Sequence, residues 1–577
     1  CALARGPAES EHDAMIKHLR VLPLFLAILA MASCVSVPEE ETSAYGAFLA
    51  ARHAGVNRDA RGAADYYAEA LRRMPGDTIL TDRAFITAIL AGEMERAVPL
   101  AVASQASGDP SRLAGLYVTV DQIHARRYVQ ALDTLHNAPD YGPFNAFLAQ
   151  IWTQWALLGS GAVDEALAGA EDLAAPGFLA PFIPIHRAML FDAAGRVVDA
   201  DGAYQAAVFG SPFPRMTTEL YGNFLERQRR PDEALELYQA YLEGNPLDSS
   251  ISLAAERARA GRPAPPRPGI AQFAARSAFG PAASLAAQAD MDLAVVYLRM
   301  LQRLDPVDAS IRVMLGETLQ RISLPELALA EYAAVPAGAF KTSAEIDRIW
   351  LMARLGNVEP ATLSARALVQ ETGDTEARLI LADLLRVQSQ CEEAAELYRG
   401  VITDRHAAGQ PDDWRHYYFR AACLYSNEDW SVAETAYLEA LEVAPNEPQI
   451  LNDLGYLWID HGVNISRAFE MVSRAAELEP EQGNIVDSLG WAHYRLGQYD
   501  AAVSELERAA ALDPGNATIN YHLGDAYWQV GRRLEAGFQW RRTLDLEPDE
   551  TEREGIALRL QSGVPAAESI PIEVENP

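Results

Sequence analysis

The side chains that most often carry out catalysis are present in this sequence, but they do not occur at catalytic spacings. The chain of 577 residues has 11 histidines and 4 cysteines. It contains no H-E-x-x-H, G-x-S-x-G or Walker A motif, and no G-x-G-x-x-G that follows a strand. The histidines are scattered without the spacing of metal ligands. The sequence therefore predicts a protein that is not an enzyme and that has no catalytic residue, cofactor or metal.

Cys34 lies where covalent attachment of lipid is the expected chemistry. A short basic stretch precedes an almost wholly apolar run, residues 21–32. This run is shorter than the roughly 20 apolar residues that span a bilayer, but it has the length of a signal-peptide core. It ends in Met31-Ala32-Ser33-Cys34, which resembles the lipobox of bacterial lipoproteins, although leucine is usual where Met31 stands. The resemblance implies cleavage before Cys34 and acylation there. The alternative is an ordinary secretory signal with a chance cysteine.

The beginning of the chain divides into three expected segments. Residues 1–14 precede the first methionine and are interpreted as an upstream or mis-started segment, residues 15–33 as the signal peptide, and residues 34–43 as a tether. Each buried CH₂ of an acyl chain contributes about 0.8 kcal/mol to membrane binding. The residue after Cys34 is Val35 and not aspartate, which resembles an outer-membrane sorting signal. We expect a lipid-anchored protein on the periplasmic face of the outer membrane.

The C-terminal third of the sequence repeats with a period of 34 or 35 residues. Prolines, glycines and alanines recur separately at this spacing, and the period matches that of tetratricopeptide repeats, each of which is a helix-turn-helix unit. We predict an all-α fold, a right-handed solenoid of roughly a dozen such repeats in two sub-arrays. The three sets of markers are Pro445, Pro480, Pro514 and Pro548; Gly455, Gly490 and Gly524; and Ala433, Ala468, Ala502 and Ala536.

A proline-rich stretch interrupts the repeats in the middle of the chain. Residues 261–269 read GRPAPPRPG, and no helix can pass through four prolines in nine residues. We expect an N-terminal repeat array at 44–259, a linker at 260–274 and a C-terminal array at 275–548. A capping helix at 549–561 would cover the last apolar face, and residues 562–577 would form a flexible tail.

Stacked repeats produce a long concave surface that is lined by the first helix of each unit. Aromatic, amide and carboxylate side chains on that surface suit an extended peptide or a protein. The same aromatics could instead pack only against the next repeat, and the carboxylates could simply be solvated. The predicted partner-binding residues are Asn452, Asp453, Tyr456, Asp487, Trp491, Tyr494, Tyr521, Asp525 and Trp528.

Cys391 and Cys423 are predicted to lie at the same end of the stack. On the repeat grid, Cys391 begins a second helix and Cys423 ends the first helix of the next unit. A disulfide is geometrically possible, and it would persist in an oxidising periplasm. Two buried free thiols are the equal alternative.

Residues 448–548 carry a narrower family resemblance. The strings LNDLGYLWIDHG, IVDSLGWAHYRLGQYDAA and YHLGDAYWQVGRRLEAGFQWRR resemble proteobacterial outer-membrane repeat lipoproteins. That group includes adaptors of periplasmic carboxy-terminal processing proteases. The resemblance implies a scaffold that grips such a protease and presents substrates, among them hydrolases of cell-wall cross-links. A role in outer-membrane biogenesis or in secretion of polysaccharide or protein is the alternative.

The charge of the chain limits its partners. The formal net charge is −32, and such a surface repels nucleic acid and anionic lipid headgroups. We expect protein or peptide partners with neutral or basic surfaces, no nucleic acid, and contact with a membrane through the lipid anchor. The alternative is that the charge only keeps a long array in solution.

Overall fold

The computed structural model describes residues 43–107, 111–137, 142–173, 175, 177–287, 291–425, 430–548 and 550–564. The signal peptide, Cys34 and nearly all of the expected tether lie outside these residues, as does the tail beyond residue 564. In the described part of the chain every regular element is a helix. This confirms the predicted all-α solenoid of helix-turn-helix units.

The chain divides into two compact units at Lys341 and Thr342. The first unit contains helices α1–α17, with a short 3₁₀ turn at Ala180–Phe182 before α9. In chain order, these helices are α1 Ala44–Val56, α2 Ala60–Arg73, α3 Thr78–Leu90, α4 Met94–Gln105, α5 Arg112–His124, α6 Tyr128–His136, α7 Gly142–Ser160, α8 Val163–Glu171, α9 Ile183–Ala193, α10 Val197–Val208, α11 Pro214–Arg227, α12 Pro231–Gly244, α13 Ser249–Arg259, α14 Ile270–Ala286, α15 Met291–Leu304, α16 Ala309–Arg321 and α17 Pro325–Ala333.

The second unit begins within α18, because Lys341, the first residue of this helix, is the last residue of the first unit. It ends with a single helix after six hairpins. In chain order, its helices are α18 Lys341–Arg354, α19 Val358–Thr372, α20 Thr375–Val387, α21 Cys391–Ala407, α22 Trp414–Tyr425, α23 Trp430–Val443, α24 Pro448–His461, α25 Ile465–Leu478, α26 Gly483–Arg495, α27 Tyr499–Leu512, α28 Ala517–Gln529, α29 Arg533–Asp545 and α30 Glu550–Ser562.

Local sequence explains why each repeat folds into a tight hairpin, and the pair α26–α27 shows it clearly. A methyl group on Gly490 would stand 2.6 Å from Cγ of Leu506 on the partner helix, so only glycine permits this approach of the two helices. Gly497 adopts φ +71° in the turn, a conformation that glycine reaches without steric cost. Ala502, Leu506 and Ala509 recur at intervals of four and three residues, and all three are buried on one face.

Two of the described helices stand outside the hairpin pattern. Helix α13 packs on α11 and α12 and has no second helix of its own, because the proline-rich segment follows it. Helix α30 packs in the same way on α28 and α29. Its bounds are within one residue of the predicted capping helix at 549–561. Each of these helices covers the apolar face of the hairpin before it, which is what the last unit of a repeat array requires.

The proline-rich segment is not the boundary between the two compact units, in contrast to the division expected from the sequence. Residues 262–269 contain no helix, but α14 already begins at Ile270, within the expected linker at 260–274. Arg267 Nη1 donates a hydrogen bond to the carbonyl of Asp192 at 2.9 Å. This contact fixes the segment on helix α9, so that the chain after it remains part of the first unit.

Candidate functional site

The inner face of the first unit is covered by the chain itself. Helices α14 and α15 pack against α3, α5, α7 and α9, which are the first helices of their hairpins. The rings of Trp155 and Phe273 stack with centroids 5.6 Å apart. Trp155 Nε1 donates to Ser277 Oγ at 3.1 Å, and Trp152 Nε1 donates to the carbonyl of Ala274 at 3.4 Å. Trp152 and Trp155 of α7, which could otherwise contact a partner, are therefore buried under α14.

Ion pairs extend this covering along α15. Arg303 donates from Nη2 and Nε to Asp121 Oδ1 of α5 at 2.7 and 3.1 Å, and from Nη1 to Glu95 at 3.1 Å. Helix α15 is buried on nearly all sides, including Arg299 with 3% of its surface exposed. The described first helices from α3 to α9 are thus covered on their inner side by α14 and α15.

The second unit keeps a cavity of about 280 Å³ on its inner face. Three successive first helices, α24, α26 and α28, form most of its wall, and Tyr425 of α22 and Tyr437 of α23 complete it. Asn452 and Asp487 occupy matching positions 35 residues apart, so the repeat itself builds the wall. The other lining residues are Asp453, Tyr456, Asn484, Ser488, Asn516, Thr518 and Ile519.

Asp453 is the best-connected carboxylate of the cavity, and its hydrogen-bond donors are neutral. The hydroxyls of Tyr418 and Tyr437 donate to its Oδ2 at 2.9 and 3.4 Å, and Asn452 Nδ2 donates to its Oδ1 at 3.0 Å. Burial raises the pKa of Asp453 above its ordinary value, against the opposing effect of these three donors. The carboxylate thus occupies an environment that disfavours its charge.

Asp487, the second carboxylate of the cavity, has a partner of a different kind. His522 Nδ1 lies 2.9 Å from Asp487 Oδ2 and 3.1 Å from its Oδ1, and both side chains are buried. Trp491 stacks on His522 with ring centroids 4.1 Å apart and on Tyr494 at 4.6 Å. The next repeat therefore positions the Asp487 carboxylate in the wall.

Four of the nine residues predicted to bind a partner line this cavity: Asn452, Asp453, Tyr456 and Asp487. Trp491 and Tyr494 instead take part in the stack between repeats. Only 2% of the surface of Tyr494 is exposed, and its hydroxyl accepts a hydrogen bond from Gln529. For Tyr494 the structure corrects the expectation of a partner contact, because the packing of successive first helices already buries it.

The remaining three predicted residues pack against the capping helix or the helix before it. Asp525 is fully buried and accepts hydrogen bonds from Arg559 of α30 at 2.7 and 2.8 Å and from Trp540 Nε1 at 3.0 Å. The Arg559 guanidinium lies over the ring of Tyr521, 4.6 Å from its centroid. Trp528 packs on Trp540 with centroids 5.7 Å apart. This corrects the prediction for Asp525, which serves the cap and is not available to a partner.

The sequence reasoning missed several lining residues, of which Asn484 and Ser488 are the clearest. They lie three residues before and one residue after Asp487 on helix α26. Helical neighbours at three and four residues share a face, so an extension of the predicted row by one turn would have found Asn484. Tyr437 comes from a second helix, and no rule about first helices would have included it.

The two cysteines of the second unit are buried, free thiols in this structure, and they lie within hydrogen-bond reach of each other. Cys391 begins α21, and Cys423 lies near the end of α22. Burial, together with a hydrogen bond to Cys391, raises the pKa of Cys423 to about 12.

Among the described residues, no group of three or more histidine, cysteine or carboxylate side chains could hold a metal ion. No described helix is long and apolar enough to cross a membrane.

Comparisons with known proteins agree with this architecture. A family model described as TPR repeat matches residues 490–531, and one described as tetratricopeptide repeat matches residues 186–249 and 379–448. The chain thus contains tetratricopeptide repeats, and the matched stretches lie in both compact units. Repeats of this class act as scaffolds for protein–protein interaction.

A curated relative is the TPR repeat-containing protein PA4667 of Pseudomonas aeruginosa, which is 27% identical over 173 residues. The match covers 30% of this chain, and the chain spans 28% of that protein's length. Among solved structures, Cut9–Hcn1 of the APC/C aligns over 94% of this chain and 99% of its own, with 13% identity and a TM-score of 0.37. PilF of Pseudomonas aeruginosa aligns over 38% of this chain and 97% of its own, with 18% identity and a TM-score of 0.32.

Proposed function

We propose that the chain is a non-catalytic scaffold of the bacterial cell envelope, and that its second unit holds a segment of a protein partner on the inner face around α24, α26 and α28. The observation that carries this proposal is the contrast between the two units. In the first unit α14 and α15 cover α3, α5, α7 and α9, whereas the second unit leaves a cavity that polar and aromatic side chains line. An extended segment fits such a wall, because amide and carboxylate groups can pair with a peptide backbone.

The partner in this proposal is a periplasmic carboxy-terminal processing protease, to which the scaffold presents substrates such as cell-wall hydrolases. The motif strings at 448–548, which resemble adaptors of that class, support this choice. The lipobox-like residues that end in Cys34 support attachment to the periplasmic face of the outer membrane.

Photo-crosslinking from the inner face tests the proposed partner. Asn484 lines the cavity and is exposed, so a benzoylphenylalanine at this position would react with whatever lies on the inner face. The matched control is Arg474 on α25, a second helix, whose side chain is 50% exposed. We expect the first position, and not the second, to crosslink to a periplasmic protease in cells of the source organism. Crosslinks to an assembly or secretion machine would favour the alternative role.

Fractionation of cells tests the membrane attachment separately. The Cys34→Ala variant should move from the membrane fraction to the soluble periplasmic fraction, because it cannot be acylated at that position. Globomycin-type inhibition of lipoprotein signal cleavage should cause the uncleaved precursor of the unaltered protein to accumulate. A Cys34→Ala protein that remains on the membrane would show that the anchor proposal is wrong.

A further inference from the structure

The cavity in the wall of α24, α26 and α28 is unusually rich in hydrogen-bond acceptors. Its eleven lining residues include two aspartates, three asparagines and three tyrosines, and none of the eleven is lysine, arginine or histidine. Its volume of about 280 Å³ is at the small end of ligand pockets, which measure about 300–1,000 Å³. A space of this size suits one long side chain and not a whole small-molecule ligand.

Asn452 supplies an independent sign that something is to be bound here. Only 6% of its surface is exposed. Its Nδ2 donates to Asp453, but its Oδ1 is buried and has no hydrogen-bond partner in the described part of the chain. Nearly all buried polar groups in folded proteins are paired. An unfilled acceptor next to a carboxylate that has only neutral donors defines a place for a donor with positive charge.

We propose that this cavity binds a cationic side chain, a lysine ammonium or an arginine guanidinium, from the protein segment that the second unit holds. This inference rests on the function proposed above and specifies the chemistry of the same site. The cation would donate to Asn452 Oδ1 and to the Asp453 carboxylate. The rings of Tyr425 and Tyr456 line the same space and would contact the cation or its aliphatic stem.

The alternatives fit the wall less well. An acidic side chain would meet Asp453 and Asp487 and would bring no donor for Asn452 Oδ1. An apolar side chain would exclude water from the same groups and leave them without partners, which is costly. A cation has neither disadvantage. It donates to Asn452 Oδ1, and it stabilises the ionised form of Asp453 that burial disfavours.

Binding of defined peptides to the full chain tests the inference. The probes are acetylated nine-residue peptides with randomised flanks and a fixed central lysine, arginine, norleucine or glutamate, and retention on the immobilised protein is measured. Norleucine has nearly the shape of lysine without its charge. We expect the lysine and arginine pools to be retained about tenfold or more over the norleucine pool, and the glutamate pool to be retained least.

The Asp453→Asn variant should reduce the ratio of lysine to norleucine retention towards one. Asp460→Asn is the matched control, since this exposed carboxylate lies on the same helix, outside the cavity, and pairs with Arg495. It should leave the ratio unchanged. Equal retention of the lysine and norleucine pools by the unaltered protein would overturn the inference but not the binding of peptides. If no pool is retained, peptide binding by the second unit fails as well.

Discussion

Asp525 on α28 and Arg559 on α30 form a two-pronged ion pair that is almost completely buried. Arg559 Nε lies 2.7 Å from Oδ1, Nη2 lies 2.8 Å from Oδ2, and 5% and 1% of the arginine and aspartate side chains are exposed. The last helix is therefore attached to the last hairpin by two charge-assisted hydrogen bonds in addition to the apolar contact of Ile556. The pair positions α30 over the inner face of α28.

Removal of the arginine from this pair should destabilise the end of the array. Arg559→Ala leaves the Asp525 carboxylate buried with only Trp540 as a donor, and an uncompensated buried charge costs about 3–5 kcal/mol. Hydrogen exchange should show the loss of protection in α28–α30. Arg532→Ala is the control, because Arg532 pairs with Glu507 and Glu535 at the surface, where an ion pair contributes little to stability. Equal losses in the two variants would contradict the assigned role of Arg559.

The repeat architecture could be predicted from the sequence because its causes are local. The turn at Gly497 and the close helix approach at Gly490 follow from residues within one hairpin, and the same pattern recurs every 34 or 35 residues. Four of the nine predicted groove residues line the cavity because a position that faces inward in the first helix of one repeat also faces inward in the first helix of the next.

The repeat period does not predict which inner faces are covered by other helices of the chain. Arg303 and Asp121 are 182 residues apart in sequence, and nothing in the period of the repeats indicates that α15 returns to α5. The sequence predicts the capping helix α30 itself, but not that its Arg559 pairs with Asp525 on the inner face. In both cases a helix packs onto a face that the repeat pattern alone leaves open, so the free and filled parts of the groove are distinguished only by long-range contacts.

A single methyl group on α14 should disturb the covering of the first unit. In the Gly280→Ala variant the new Cβ would lie 2.6 Å from Cε1 of Phe182 and 3.3 Å from Cδ2 of Phe213. Both distances are too short for packed rings, and overpacking of a core costs about 1–3 kcal/mol. We expect a lower free energy of unfolding and faster hydrogen exchange along α14 and in the helices beneath it.

A second glycine provides the control for that experiment. Gly202 on α10 is exposed, and a Cβ there would meet no atom within 4 Å. Gly202→Ala should therefore stabilise the protein by about 0.5–1 kcal/mol, since alanine is the better helix former. If Gly280→Ala is also stabilising, the contact between α14 and the inner face of the first unit is looser than the structure shows.

Asp453 should make the stability of the second unit depend on pH. Burial raises the pKa of Asp453 in the folded protein, so the folded state binds this proton more tightly than the unfolded state. Its contribution to stability is then fully present below the pKa of the unfolded carboxyl, and it is lost as the pH rises through the folded pKa. Asp453→Asn removes this loss, and we expect the variant to gain stability over the unaltered protein between acid and neutral pH.

Denaturant unfolding at several pH values measures that difference. Asn at position 453 can still accept from Asn452, and the hydroxyls of Tyr418 and Tyr437 can rotate to accept from its amide. The control is Asp460→Asn, which removes an exposed ion pair with Arg495 at 3.5 Å and should leave stability unchanged or slightly lower at neutral pH. A variant at 453 that is less stable than the unaltered protein at neutral pH would refute the assignment.

Cys391 and Cys423 should react only after the second unit unfolds. Both thiols are buried, which keeps reagents away from them, and the pKa of Cys423 is raised by its burial to about 12, so that this thiol is hardly ionised at pH 8. Because the thiolate is the nucleophile, iodoacetamide should label neither cysteine in the folded chain and both in denaturant. Mass spectrometry of peptides digested without reduction provides the readout. A peptide pair linked through the two cysteines in protein isolated from cells would show instead that they form a disulfide, and reduction should then lower the stability of the contact between α21 and α22.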